Sequence, residues 1–206
     1  MDRPKNGIPI IQQTYLTKEQ VEKMREKLEA NGDIQLYCYA MFSLITMARV
    51  NAISHLRWEQ LDFENMIARE VLEKEGKLVT LYYDESVRDL LIKMKKEREE
   101  KGINDYGYVF YTRYVKEDKP VTNITINSWC KKVGRMIGCP TLHPHDFRHS
   151  GATLLKNEGM PLEDVSALLN HASTEVTKRF YIKEDARRLQ EAKNKYSFLT
   201  KPEGGK

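Results

Sequence analysis

The residues with the most potential chemistry lie in the last third of the chain. His145 and Arg148 stand three apart, His171 follows, and Tyr181 comes ten residues after His171. Side chains three apart on a helix are neighbours, so His145 and Arg148 can reach the same anion. A tyrosine oxygen can form a covalent intermediate, and basic side chains donate strong hydrogen bonds to phosphate. This combination of residue types indicates chemistry at a phosphate group.

His145-x-x-Arg148 alone is a weak signal, because a capped helix start with a surface histidine and arginine is the more common explanation of such a pattern. The segments that follow it change this balance. Leu169-Asn170-His171 and then Tyr181 come next in the order and at the interval of the tyrosine recombinase (phage integrase) family, which this region resembles. The family motif has His-x-x-Arg, a Leu-Gly-His-like segment and then the nucleophilic tyrosine. Asn170 in place of glycine is the departure.

The same family has an earlier catalytic arginine, within a Thr-Gly-x-Arg-x-x-Glu-like segment at the end of a buried helix. Thr46 and Arg49 fit this pattern, whereas Met47 replaces the usual glycine and Ala52 the usual acid. In the family that acid often orients the catalytic basic groups. The resemblance therefore implies that Arg49 is catalytic and leaves the missing carboxylate unexplained.

The family's catalytic lysine lies in a β-hairpin turn. Two strand-like runs flank Glu73-Lys74-Glu75-Gly76, with the glycine in the predicted turn, and Lys74 takes the matching position. Lys77 is three residues away and is the alternative. Lysines in turns are usually only solvated, so the assignment of Lys74 depends on the resemblance and on the hairpin.

The resemblance implies DNA cleavage without a metal, ATP or any other cofactor. Arg49 and Arg148 would bind the non-bridging oxygens of a phosphodiester through their planar donor forks. His145 would accept the proton of Tyr181, whose ordinary pKa is about 10. Lys74 would protonate the departing 5′-oxygen, and His171 would donate to the phosphate. The other tyrosines of strands and loops are interpreted as packing residues: Tyr82, Tyr83, Tyr106, Tyr108, Tyr111 and Tyr114.

The elements that must position these residues give a mainly α fold with a small antiparallel β-sheet (α+β), the catalytic fold of the family. Helices are predicted after Thr17, over Leu36 to about Arg49 with Asp33 as the cap, from Ala52, from Asp84 and from Thr122. The predicted strands are the hairpin over residues 66–82 and a further strand at Tyr108–Tyr111. Four helical segments should follow, at about 144–158, 162–169, 173–180 and 184–194.

Charge is compatible with a nucleic-acid partner. The net charge is +4, and residues 178–206 alone hold nine basic and four acidic side chains. A solvated helix and tail would explain this excess as well. Three unevenly spaced cysteines indicate reduced thiols in a cytosolic protein: Cys38, Cys130 and Cys139. The sequence shows neither an apolar run long enough to span a membrane nor the pattern of a secretory signal.

The expected organisation is a linker or the remnant of a missing core-binding domain at 1–16, a catalytic domain at 17–195 and a basic tail at 196–206. The expected partner is double-stranded DNA. The protein is expected to bind it as a homotetramer and can be a monomer when isolated. A type IB topoisomerase is one rival, although those enzymes usually have lysine where His145 stands. The other is a non-catalytic DNA-binding relative, which Met47 and Ala52 would favour.

Overall fold

The computed structural model describes residues 15–73, 76–112, 114 and 117–170. The predicted helices at 173–180 and 184–194, the tail, and residues 1–14 of the N-terminal segment lie outside these ranges. The chain divides into two compact units, Met1–Gly159 and Met160–Lys206. Within the described ranges, no helix is both long enough and apolar enough to cross a membrane.

The first unit contains six α-helices, one short 3-10 helix (Trp58–Gln60) and three strands within its described residues, and the described part of the second contains one α-helix, α7 (Leu162–Leu168). In chain order the first unit comprises α1 (Lys18–Asn31), α2 (Ile34–Thr46), α3 (Val50–His55), β1 (Leu61–Asp62), β2 (Ile67–Leu72), β3 (Leu78–Tyr82), α4 (Glu85–Glu100), α5 (Asn123–Ile137) and α6 (Pro144–Asn157). The strands form one antiparallel sheet in the order β1-β2-β3. The predicted fold class, mainly α with a small antiparallel sheet, is confirmed.

Helix α2 forms the centre of the core. Nine of its thirteen residues are buried, and it packs against α1, α4, α5 and α6. A helix that is apolar on all sides must be enclosed by other elements, so this position follows from its sequence. Helices α1, α4 and α5 are amphipathic and bury one face each, such as Met24 and Leu28 of α1.

Helix starts follow the capping residues predicted from the sequence. Thr17 forms a capping box with Gln20, and the Asp33 carboxylate accepts from the backbone N–H of Leu36 at 3.0 Å. Asp84 and Thr122 cap α4 and α5 in the same way. Each such cap satisfies a backbone donor that the helix leaves unpaired.

The end of α2 differs from the prediction, which extended this helix to about Arg49. The helix stops at Thr46, because Met47 adopts a left-handed backbone conformation with φ 53°. The Thr46 hydroxyl donates to the Phe42 carbonyl at 2.6 Å and accepts from the N–H of Ala48 at 3.3 Å. The chain therefore turns a corner, and Arg49 is the N-cap residue of α3.

Strand β2 contains a β-bulge that the sequence did not predict. Ala68 pairs with Leu81 and Val71 pairs with Val79, so two residues of β2, Arg69 and Glu70, lie opposite one residue of β3. Glu70 has φ 52°, and its carbonyl accepts from the side-chain amide of Gln60 at 2.8 Å. The extra residue changes the side-chain alternation along the strand. Ala68, Val71 and Glu73 are buried as a result.

The predicted strand at Tyr108–Tyr111 is wrong. This segment makes only one isolated bridge, between Tyr108 and Arg57. The guanidinium of Arg98, on α4, donates to the carbonyls of Tyr108 at 3.2 Å and Val109 at 2.9 Å. These two carbonyls therefore accept hydrogen bonds from a side chain, where in a sheet they would accept from the N–H groups of a neighbouring strand.

The packing role predicted for the tyrosines holds for some and fails for others. Tyr83 and Tyr108 are buried, but Tyr82 is 55% exposed and Tyr114 is 80% exposed. Tyr82 is exposed because it alternates with buried Leu81 on the outer face of β3.

Candidate active site

Arg49 lies at the corner between α2 and α3, where its side chain is about one-third exposed. Its Nη1 donates to Oε2 of Glu73, the residue that follows β2. Helix α3 packs against β2, which brings this corner next to the start of the hairpin turn. Arg49 is thus held by a residue 24 positions further along the chain.

Arg148 reaches the same corner from α6. Its side chain is buried, with 7% exposed, and Nη1 donates to the carbonyl of Met47 at 2.5 Å. Burial lowers the pKa of Arg148 to about 10, with the positive charge of Arg49 acting in the same direction and Glu73 in the opposite one. The two predicted arginines and Glu73 therefore share one electrostatic environment.

A close contact between α2 and α6 sets the position of Arg148. A methyl group added at Gly151 of α6 would lie 2.3 Å from the carbonyl oxygen of Leu44 and 2.7 Å from Cγ of Met47. Only glycine allows this approach. Because Arg148 lies one turn before Gly151, the same contact carries it to the Met47 carbonyl.

His145 lies in the first turn of α6. The helix begins with a capping box between His143 and Asp146: Oδ2 of Asp146 accepts from the N–H of His143 at 2.8 Å. The rings of His143 and His145 stack with centroids 5.5 Å apart. Burial lowers the pKa of His145, as do the nearby charges of His143, Arg148 and Arg49, while Asp146 raises it. An imidazole with this lowered pKa is neutral at pH 7 and can accept a proton.

The structure thus brings together three of the six predicted site residues: Arg49, His145 and Arg148. Lys74, His171 and Tyr181 lie outside the described residues. Lys74 directly follows Glu73, and His171 directly follows Asn170, so the described chain leads up to both. Among the described residues, no group of three or more histidine, cysteine, aspartate or glutamate side chains could hold a metal ion.

Glu73 is the site residue that the sequence did not reveal. It is 2% exposed, although glutamate beside a hairpin turn is usually solvated. Regular alternation from the buried Ala68 would place residue 73 on the outer face of the strand. The bulge in β2 shifts this alternation by one residue and turns Glu73 inward. No glycine at position 70 marks that bulge, so the sequence contained no signal for it.

Comparison with known proteins shows the family to which the chain belongs. The Phage integrase family matches residues 14–188. The tyrosine recombinase XerC of Pediococcus pentosaceus is 30% identical over 177 residues, covering 82% of this chain and 56% of the relative. The tyrosine recombinase XerA of Pyrococcus furiosus is 27% identical over 190 residues, covering 92% of this chain and 64% of the relative. The chain therefore spans less than two-thirds of the length of these curated relatives.

Solved structures show the same fold. The crystal structure of XerA recombinase superposes with a TM-score of 0.74 at 20% identity, covering 98% of this chain and 68% of that one. The XerH site-specific recombinase bound to its difH substrate gives a TM-score of 0.67 at 21% identity, covering 84% and 52%. With its family match extending over most of the sequence and its fold shared with these recombinases, the chain belongs to the phage integrase family.

Proposed function

We propose that this chain is the catalytic part of a site-specific DNA recombinase, which cleaves and rejoins double-stranded DNA through a 3′-phosphotyrosyl intermediate. The observation that carries the proposal is the convergence of Arg49 and Arg148, from two distant helices, on one corner of the fold. The likeness to XerC and XerA supports it. The catalytic domain is proposed to extend over residues 17–195.

The arginines suit a phosphodiester undergoing in-line attack. Negative charge builds up on the non-bridging oxygens in the transition state, and guanidinium forks placed in advance stabilise it. Loss of one such donor typically costs about 2.7–4 kcal/mol of transition-state stabilisation. Both arginines are therefore proposed to be essential.

The remaining roles complete the reaction. The phenolic oxygen of Tyr181 attacks phosphorus and its proton passes to the neutral imidazole of His145. The bond from phosphorus to the 5′-oxygen breaks, and Lys74 gives that oxygen a proton, while His171 donates to a non-bridging oxygen. Attack by another 5′-hydroxyl then reverses these steps and joins a new strand. The energy of the original phosphodiester bond is retained in the tyrosyl link.

A covalent trapping experiment tests the nucleophile. The substrate is a pool of duplexes with a random central sequence and a nick beside the cleavable position. After attack by the tyrosine, the short fragment between the cleaved bond and the nick is lost. Its 5′-hydroxyl is then no longer there to rejoin the strand, so the covalent adduct accumulates. We expect a protein–DNA adduct on a denaturing gel that disappears in Tyr181→Phe and persists in the control Tyr196→Phe. An adduct that survives in Tyr181→Phe would rule out this nucleophile.

The DNA recovered from the adduct then separates the recombinase from the topoisomerase alternative. A recombinase should exchange strands between two duplexes that carry the trapped sequence, and the reaction should need both. Relaxation of supercoiled DNA by single-strand nicking, with no exchange between two sites, would instead indicate a topoisomerase. We propose a homotetramer on such paired sites, which the mass of the complex in solution would reveal.

A further inference from the structure

Glu73 is a buried carboxylate with an incomplete set of partners. Its Oε2 accepts from Arg49, whereas Oε1 is buried and has no hydrogen-bond partner among the described residues. Taking a carboxylate out of water is costly even when it is paired with an arginine, and removing either partner of such a buried pair is strongly destabilising. The protein therefore maintains a charge here at a cost, which calls for an explanation.

The nearest helix has no acid that could serve instead. Arg49 is the N-cap residue of α3 and makes no side-chain capping bond. Ala52, three residues on, is fully buried. A carboxylate at that third position of a helix typically reaches back to the N-cap residue and favours the positive end of the helix dipole. In this chain the negative charge comes from the hairpin.

The charges balance in a way that suits phosphate. Glu73 offsets the repulsion between Arg49 and Arg148, which lowers the pKa of Arg148. One carboxylate and two guanidinium groups leave a single net positive charge, which matches one phosphodiester. Among the described residues Arg49 donates to Glu73 through Nη1 alone, so its other donors can face a phosphate.

We propose that Glu73 is a positioning residue that holds the Arg49 guanidinium for phosphate binding and takes the place of the acid absent at Ala52. This inference rests on the proposed function, in which Arg49 binds the reacting phosphate. The opposite arrangement, in which Glu73 blocks Arg49 until DNA displaces it, makes the opposite kinetic prediction.

Single-turnover cleavage of the trapped DNA sequence tests the role. Glu73→Gln keeps the size of the side chain but removes its charge, and should slow cleavage about 10- to 100-fold, the usual effect of a small misplacement. Glu70→Gln, which removes an exposed carboxylate of the same strand, is the matched control and should cleave normally. Faster cleavage by Glu73→Gln, or an unchanged rate, would overturn the proposal.

A modified substrate separates positioning from general damage. In a methylphosphonate one charged non-bridging oxygen is replaced by a methyl group, so accurate placement of Arg49 matters less. Glu73→Gln and the unaltered chain should then cleave at similar rates. An equal defect on both substrates would contradict the role. Ala52→Glu combined with Glu73→Gln should recover part of the lost rate, because a carboxylate again lies beside Arg49.

A measurement without DNA chemistry keeps the inference separate from the proposed function. The side-chain nitrogen signals of Arg49, assigned by comparison with Arg49→Lys, should show a guanidinium with slow rotation that becomes fast in Glu73→Gln. Glu73→Asp, which keeps the charge on a shorter chain, should lie between them. Equal rotation in all three proteins would overturn the inference even if the chain cleaves DNA. Absence of any covalent adduct with the unaltered chain would count against the proposed function alone.

Discussion

At the scale of single residues, the site combines burial with retained charge. Burial lowers the pKa of Arg148 only to about 10, well above neutral pH, so the guanidinium stays protonated. Arginine tolerates such a position because its charge is delocalised and weakly hydrated. A lysine starts from a pKa of about 10.4, and the same shift would bring its pKa much closer to neutral pH, where part of its charge is lost. This explains why an arginine suits position 148.

The lowered pKa of His145 predicts how the DNA cleavage rate changes as the pH falls below neutral. If His145 is the base, the cleavage rate should be constant near pH 7 and fall only below pH 6.5, where the imidazole gains a proton. His145→Gln should cut the rate by about 10²- to 10⁴-fold and remove this fall. The pKa of His149 is lowered too, so His149→Gln is the control and should retain the fall. Single-turnover rates between pH 5 and pH 8 measure both.

Met47 presents a conflict between backbone and side chain. Its left-handed conformation costs about 1–2 kcal/mol for a residue with a Cβ, yet its side chain is 1% exposed and contributes about 2–5 kcal/mol through burial. Burial wins. We therefore expect Met47→Gly to lower the free energy of unfolding by about 1–3 kcal/mol.

Urea unfolding checks this prediction, with Met47→Ala as the control. Alanine loses the side chain and keeps the strain, so it should be less stable than glycine by about 1 kcal/mol. A Met47→Gly protein more stable than the unaltered chain would show that strain dominates.

At the scale of elements, the contact between α2 and α6 carries the geometry of the site. Gly151 allows the two backbones to approach, and the Arg148 side chain then bridges from α6 to the corner after α2. Arg49 depends on the corner itself, and Glu73 on the packing of β2 against α3. Three separate contacts between elements therefore define one site.

Gly151→Ala should separate α6 from α2 and displace Arg148. We expect a loss of about 1–3 kcal/mol in the free energy of unfolding, because the added methyl meets a backbone carbonyl that cannot move away. Gly134→Ala on α5 is the matched control, since its methyl would also meet a carbonyl, that of Cys139, at 2.1 Å. Both variants should lose stability, but only Gly151→Ala should lose cleavage at a temperature where both are folded. Equal cleavage by the two variants would contradict this role of the contact.

The sequence predicted the elements where local signals were present. Thr17, Asp33, Asp84 and Thr122 mark helix starts because their side chains bind backbone donors, and Gly76 marks the hairpin turn through its positive φ. The corner at Met47 and the bulge at Glu70 also have positive φ, but neither has a glycine. Tertiary packing imposes both, so the sequence predicts α2 as far as Arg49 and contains no signal for the burial of Glu73.

At the scale of the whole molecule, positive charge is concentrated towards the end of the chain. Residues 178–206 hold nine basic and four acidic side chains. Among the described residues, Lys96 of α4 and Lys101, the residue that follows α4, pair with glutamates one turn away. Basic residues that bind DNA phosphates release counterions from the duplex. This region is therefore where we expect sequence-independent affinity to reside.

Salt dependence tests that expectation. Replacing Arg187 and Arg188 by glutamine should weaken binding to any duplex and reduce the slope of log K against log salt by about 0.9 for each phosphate that is no longer neutralised. The paired control, Lys96→Gln with Lys101→Gln, should leave the slope unchanged. Fluorescence anisotropy between about 50 and 200 mM salt covers the range in which such interactions change affinity most. An identical slope in both double variants would place the DNA-binding residues elsewhere.

The side-chain alternation of β2 makes the candidate site more sensitive to chain length than to residue type. Most exposed positions of this strand should accept exchange, because their side chains face away from the core. Loss of one residue between Ala68 and Val71 would only remove the bulge, because Val71 could still pair with Val79 and Glu73 would still face inward. Loss of Leu72 would instead move Glu73 into the outward-facing position next to Val71, away from Arg49. Deletion of this single codon should therefore do what few substitutions could: keep Arg49, Glu73 and Arg148 in the chain and still dismantle the proposed phosphate site.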